Sequence, residues 1–364
     1  MKYMTKKCCL LLSLSNIEVS FINKALTVLL TVQISCGDHT GAQSFLVDAE
    51  YLIRKRGLPK SHKSLKVRSV HHVYTYLCIM AESTCGCALL NICPDRPSSS
   101  VMKIDSSFSF RSFRVAYDST DADLDMELEK NDEVGQNDIH LEVMGPWKET
   151  LYPDIYGVLE SLMALLSETI RLANEQELLN RCSTVDTQVL EDLRRRASLL
   201  EQYILSWKPS SGQPFALRDH PAIDNGEITK IQAADYMVRA MRQALILFYY
   251  RRIPNINALI LQDTVQRCYS FLQQSDQACI NGDMFNDTAV LWPGFVAACE
   301  ALNTDLQSQL LEWLLTTGQR TSLPSFLAAA QSAQMVWKGR YETKDYTLSW
   351  FDVMKQKRCP IIVT

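Results

Sequence analysis

The chain has 364 residues, 47% of them apolar and 21% charged, with a formal net charge of −4 and a pI near 5.9. That length supplies one large domain or two ordinary ones, and the acidic balance excludes a chain-wide basic footprint for nucleic acid. The 12 cysteines are scattered without a framework of close pairs, the pattern of reduced thiols packed as small apolar residues in an intracellular chain rather than of a disulfide-bonded secreted one.

Lys6 and Lys7 ahead of CCLLLSL imitate a short signal peptide, but the apolar run ends at Ser15, Asn16 and Glu18 with no small-residue cleavage site. A second run, ALTVLLTVQI, falls short of the roughly 20 apolar residues that span a bilayer. Both runs read as buried helix, and no membrane partner is expected. Residues 1–20 are assigned to an N-terminal extension and residues 21–364 to a single helical domain with a loop or insertion at about 86–150.

The first predicted helix covers residues 16–35, with Ser15 or Asn16 as N-cap and Glu18 in its first turn. Cys36-Gly-Asp-His39 breaks it. A second helix runs from Ala42 to Arg56, with Phe45, Leu46, Ala49, Leu52 and Ile53 on one face. Gly57 stands where a C-cap belongs and Pro59 follows it. The stretch KSHKSLKVRS is the most basic in the chain and reads as a solvated turn, contact with an acidic partner being the alternative. A third helix, Val70 to Thr84, buries Val73, Tyr76, Leu77 and Met80. After Cys85 no period is sustained: Pro94, Pro97, a run of serines, FSFRSFR and the acidic stretch from Asp118 to Glu133 read as a long surface loop.

Helical periodicity resumes with Leu159, Leu162, Leu165, Leu166, Thr169, Ile170 and Ala173. It continues in Val189 to Trp207, whose face carries Leu190, Leu193, Ala197, Leu200, Ile204 and Trp207. A Pro/Ser/Gly-rich loop, 208–226, leads to the stretch that organises the rest, EITKIQAADYMVRAMRQALILFYYRR from Glu227 to Arg252. Its Ile228, Ile231, Ala234, Val238, Met241, Leu245 and Phe248 recur at three- and four-residue steps over about six turns. Leu247, Tyr249 and Tyr250 widen that face, so the helix is expected to be buried on more than one side and to carry the other long helices. Arg251 and Arg252 suit a helix C-terminus, and Pro254 stops it. Ile256 to Gln273 is the next helix, with Leu259, Ile260, Val265, Cys268 and Leu272 apolar, and a loop is expected from Ser275 to Asp287. Pro293 fits the first turn of the helix in TAVLWPGFVAACEAL. Leu306 to Thr316 follows, ended by Gly318. Ser325 to Tyr341 is the last predicted helix, and a tail, TLSWFDVMKQKRCPIIVT, completes the chain. No stretch alternates at period two for long. The fold class is therefore all-α, a multi-helix array or bundle with a long irregular acidic loop.

The chemistry-bearing constellations are weak. Cys85, Cys87 and Cys93 with His71, His72 or Cys78 have zinc-ligand chemistry, but there is no C-x-x-C in the chain, so a cysteine-rich helix end is the better reading. Asp121, Asp123, Asp125 and Glu127 alternate like a calcium loop, but Met126 and Asp132 occupy the positions that need Gly and Glu. There is no G-x-S-x-G elbow, Walker loop, H-E-x-x-H or G-x-G-x-x-G. His140 has the chemistry of a general base, but nothing near it in the sequence resembles a nucleophile with its orienting partner. Trp292, Phe295, Trp313, Trp337 and Trp350 read as core, with a ligand pocket as the alternative.

Several stretches together resemble one family: LVDAEYLIRKRGLPKSHKSLKVRSVHHVYTYLCIMAEST, DIHLE, ETLYPDIYGVLESLMALLSETIRLANE, QALILFYYRRI, WPGFVAACEAL and VWKGR with the late Trp350. In that order they look like the regulatory domain of fungal zinc-cluster transcription factors, most like the arginine metabolism regulation type. Cys78 and the CGCALLNICP stretch depart from the pattern. The resemblance implies an all-helical regulatory domain of a nuclear regulator of RNA polymerase II transcription, not an enzyme, with signature positions Phe248, Tyr249, Tyr250, Arg251, Arg252, Trp292, Pro293, Phe295, Cys299, Glu300, Trp337 and Trp350. No cofactor is expected in this chain. Zinc is expected only if an upstream zinc-cluster module exists, and DNA contact only through that module. Protein partners are expected through dimerisation or co-regulators, and no sequence motif identifies a small-molecule effector. An unrelated helical interaction scaffold or degenerate enzyme is the alternative.

Overall fold

A computed structural model describes residues 46, 49–59, 63–85, 124–180, 187–208, 225–281 and 290–357. The expectations for residues 16–35 and the break at Cys36–His39, for Cys87 and Cys93, for Asp121 and Asp123, and for most of the 208–226 loop lie outside them.

Where apolar residues repeat at helical spacing the chain is helical, and no strand occurs among the described residues. A single π-helical turn, Ile53–Gly57, precedes α1, Leu65–Cys85. Two short helices follow, α2 at Asp132–Asn137 and α3 at Tyr152–Tyr156. The long helices are α4 at Glu160–Leu179, α5 at Thr187–Ser206 and α6 at Asn225–Arg252. A 3-10 turn, Ala258–Leu261, opens α7 at Gln262–Asn281. The chain then forms α8 at Leu291–Glu300, α9 at Thr304–Thr321, α10 at Pro324–Thr343 and α11 at Trp350–Lys357.

Helix α6 is the longest element and packs along α7 most extensively, with α8, α4 and α5 on its other sides. Ala234, Val238, Met241, Leu245 and Phe248 are all buried, as their spacing predicts, and so are Ala240, Ala244 and Leu247 between them. Helices α9 and α10 gather instead on α8 and on each other, and α11 packs on α10 and α1. Helix α8 is short, but every residue from Leu291 to Glu300 is buried. An element that is apolar all round belongs in the middle, so α6 and α8 share the centre.

Six sequence expectations are corrected. The segment before α4 is not a surface loop throughout. From Leu124 to Trp147 it folds as a strap on α1 and α4, with Leu124, Ile139, Leu141, Met144 and Trp147 buried; its contacts are made by single residues and ion pairs, which leave no period to read. Helix α7 continues past Ser275, because the Ser275 hydroxyl faces inward and donates to Ala233 O at 2.9 Å. Its neighbours Leu259 and Ile260 lie on the 3-10 turn and are exposed. Helix α9 runs through Gly318 and stops at Ser322, which takes the left-handed conformation at φ 57°; Gly318 is needed because a Cβ there would sit 2.8 Å from Phe326 Cβ. Gly57 does not reverse the chain either, since the cap position is Leu58 in right-handed helical geometry. A Cβ on Gly57 would lie 2.5 Å from His71 Nε2, so close packing against α1 is its reason. Finally, Trp350 is fully buried and opens a helix rather than lying in a tail.

Candidate functional site

The signature positions converge where α6 ends. Arg251 is in its last turn, Glu300 ends α8, and Arg340 is on the buried face of α10. The Glu300 carboxylate lies 3.0 Å from Arg251 Nε and 2.7 Å from Arg340 Nη2, with all three side chains buried. Two guanidinium groups on one carboxylate leave a surplus positive charge away from water. Carbonyl oxygens meet it: Arg251 donates to Ile256 O and to Thr347 O at 2.7 Å, and Arg340 donates to Cys299 O at 2.7 Å and Leu348 O at 2.8 Å. The fork of donors on arginine suits this multiple capture, which lysine would not match. The knot thereby ties the turn after α6, the end of α8 and the 345–349 turn to α10.

An aromatic cluster lies beside it. Phe248 has Trp292 at 5.7 Å and Trp350 at 6.0 Å between ring centroids, and Phe295 meets Trp350 edge-on at 6.0 Å. Trp292 donates its indole N–H to Ser83 Oγ on α1 at 2.9 Å, and Trp337 donates to Ala298 O at 2.8 Å. Pro293 is buried in the first turn of α8 and its carbonyl accepts from Cys268 Sγ. Tyr249 donates to Ala197 O and Tyr250 to Glu201 Oε1 on α5, while the Arg252 guanidinium stacks 3.6 Å above the Phe351 ring. Burial holds the Cys299 thiol well above its ordinary range, so this cysteine packs rather than reacts. Trp292, Trp313 and Trp350 are thus core, as their spacing suggests, Trp337 is half-buried against it, and the knot and cluster join α6, α8, α10 and α11.

Polar chemistry concentrates at the strap. Glu50 accepts from Tyr74 OH at 2.7 Å, from Arg54 Nε at 2.8 Å and from His140 Nε2 at 2.9 Å. Burial pushes its carboxyl up, but His140, Arg54 and Tyr74 together outweigh that and bring it down to about 2. Lys130 reaches Asp138 at 3.1 Å and Glu160 at 2.9 Å; burial works against its charge, and the two carboxylates reverse the balance and raise it above the usual lysine value. On α4, Glu168 pairs with Arg171, yet burial lifts the Glu168 carboxyl to about 7 against the pull of Arg171 and Arg196. Sequence reasoning singles out His140 as a candidate base and His72 only as a candidate zinc ligand, and passes over Glu50, Lys130, Glu160 and Arg340, because lone charged residues inside amphipathic stretches carry no spacing signal. Arg340 has the one usable cue, the four-residue step from Val336 on the buried face.

Of the candidate zinc ligands, Cys78 and His72 are engaged otherwise, and Cys87 and Cys93 lie outside the described residues. Cys78 Sγ lies 3.4 Å from Glu82 Oε1 and 3.6 Å from Tyr74 OH, and among the described residues no group of His, Cys, Asp and Glu is placed to hold a metal ion. No helix among them is long and apolar enough to cross a membrane.

Residues 8–364 match the family model of the fungal specific transcription factor domain. The chain belongs to that family. No curated protein and no solved structure matches it. For a fungal specific transcription factor domain, the knot at Glu300, the tryptophan cluster and the strap are packing features of the helical body, and membership implies transcriptional regulation rather than catalysis.

Proposed function

We propose that this domain is the regulatory part of a nuclear regulator of RNA polymerase II transcription, acting on amino-acid metabolism genes of the arginine type. It works through protein contacts, by dimerisation or by holding co-regulators, and DNA is read by a zinc-cluster module that is not encoded in these 364 residues. The observation that carries the reading is the family match along residues 8–364. The arginine assignment is supported by the ordered stretches QALILFYYRRI, WPGFVAACEAL and VWKGR. The net charge of −4 supports placing the DNA contacts elsewhere, because phosphate neutralisation needs clustered Lys and Arg.

The test is a reporter assay in a fungal host, with the full chain fused to an unrelated DNA-binding module. The fusion should change reporter output relative to the module alone, and the change should respond to arginine supply. The unfused chain should bind duplex DNA weakly and without sequence preference. Reporter output equal to that of the module alone, or a salt-resistant sequence-specific complex formed by this chain by itself, would overturn the reading.

A further inference from the structure

His72, on α1, is a buried imidazole whose two nitrogens both have backbone partners. Its Nδ1 is 2.8 Å from the carbonyl oxygen of Arg68, which can only accept, so Nδ1 carries the hydrogen. Its Nε2 receives the backbone N–H of Leu151 at 3.2 Å, so that nitrogen offers its lone pair. The ring is therefore neutral. It lies 4.7 Å from the Tyr152 ring and 5.9 Å from the Trp147 ring, and it is a polar tie from α1 to the residues that begin α3, beside the one Arg68 makes to Glu149.

The cleft around it has room for about one water molecule. Charged and titratable groups face it from every element packed there: Arg68 and His71 from α1, Asp138 and Lys130 from the strap, Tyr152 from α3 and Glu160 from α4. Glu160 Oε1 is taken by Lys130, whereas Glu160 Oε2 is buried and accepts no hydrogen bond among the described residues.

We propose that His72 is a proton-operated latch, closed when neutral on the Leu151 amide and opened by protonation, with Glu160 Oε2 as the acceptor of the added proton's hydrogen bond. A proton on Nε2 removes the lone pair and sets an N–H against the Leu151 N–H. The Leu151–Tyr152 entry to α3 loses its anchor, and Tyr152 loses the ring that positions it. Burial is the main influence holding the His72 imidazole below its ordinary value; Arg68 and Lys130 act the same way, and the Arg68 carbonyl and Glu160 oppose them. The sign follows. The opened form takes a proton more readily than the closed form, so closure is fully present above the ordinary imidazole value of about 6.5 and weakens as pH falls below it.

Amide hydrogen exchange on the full chain tests the latch, with each rate divided by the intrinsic rate at the same pH. From about pH 7.5 to about pH 5.5, protection of the Leu151 amide should fall, by at most about tenfold, one decade for the unit below 6.5 being the ceiling. Protection of the Ala298 amide in α8 should not fall, since Glu168 stabilises the whole fold in that direction. His72→Gln places an amide oxygen near the Nε2 position and does not titrate there, so its Leu151 protection should be flat. Flat protection in the unaltered chain, an equal fall at Ala298, or a His72→Gln chain that falls like the unaltered one would each overturn the proposal. If His72→Gln does not fold, the imidazole nitrogen shifts of His72 in the unaltered chain decide. Proton uptake that coincides with loss of Leu151 protection supports the latch; proton uptake with that protection intact overturns it.

Discussion

Arg340 and Glu300, 40 residues apart in the chain, are joined at 2.7 Å in the interior. Arg251 shares the same carboxylate oxygen, Glu300 Oε2. Glu300→Gln keeps the size and one acceptor but leaves two buried guanidinium groups with no counter-charge. Breaking a buried pair from one side costs about 3–5 kcal/mol, a large part of a typical domain's stability. The urea midpoint of Glu300→Gln should fall accordingly, with a milder fall for Arg340→Lys, which retains the charge but loses the fork. A Glu300→Gln midpoint unchanged from the parent would mean that the carbonyl ring alone satisfies both arginines.

Leu245 is the centre of the organising face of α6 and is buried. Leu245→Ala should cost about 2–5 kcal/mol. Leu245→Asp puts a carboxylate among Met241, Phe248 and their neighbours with nothing to pair it, and the expected outcome is loss of soluble folded protein. Expression with circular dichroism melting checks both. A Leu245→Asp chain that melts like the parent would remove α6 from the core.

The reach of the sequence differs between these two sites. Leu245 announces itself, because a helix buried on one side imposes a three- and four-residue rhythm, and the long helices are all visible that way. Trp350 belongs to the core as fully as Leu245 does, but α11 has 8 residues, too short for a rhythm to establish itself, so the chain there reads as a tail. The strap is harder still. Lys130, His140 and Trp147 are held by individual partnerships, among them Lys130 with Glu160, His140 with Glu50, and Trp147 with Asp132. Partnerships across 30 or 90 positions leave no trace in local order. The same reason explains Gly318, where a helix-ending residue is used for close approach to Phe326 instead.

Gly145 tests the strap. A Cβ at this position would stand 1.7 Å from the carbonyl oxygen of Leu128, and the approach is held by the Lys130 N–H donating to Pro146 O at 2.9 Å. Backbone cannot swing aside as a long side chain can, so Gly145→Ala must push the two halves of the strap apart. Overpacking of this kind costs typically about 1–3 kcal/mol. Limited proteolysis should cut the Gly145→Ala chain within 124–150 well before α4 and faster than the parent, while the far-UV spectrum stays helical. Equal cleavage rates would show that this segment is not held against the body of the domain.

Two buried carboxylates set opposite slopes on stability against pH, in separate windows. Glu50 is held at about 2 in the folded chain against an ordinary value of 4.5. Its contribution is fully present above 4.5 and is lost as pH falls from there toward 2, on the order of 3 kcal/mol at one unit of pKa per about 1.4 kcal/mol. Glu168 is held at about 7 by burial. Its folded form keeps the proton longer, so its contribution is present below 4.5 and is lost as pH rises through 7. Guanidinium midpoints measured from about pH 3 to about pH 8 should therefore fall at both ends. Glu50→Gln should flatten the acid limb while its amide oxygen still accepts from Tyr74, and Glu168→Gln should flatten the neutral limb and leave the acid one alone. Glu50 acts at lower pH than the His72 latch; Glu168 overlaps it in pH but acts on the whole fold, whereas the latch acts locally. If Glu50→Gln kept the full acid slope, the His140–Glu50 pair would not be the group that acid breaks.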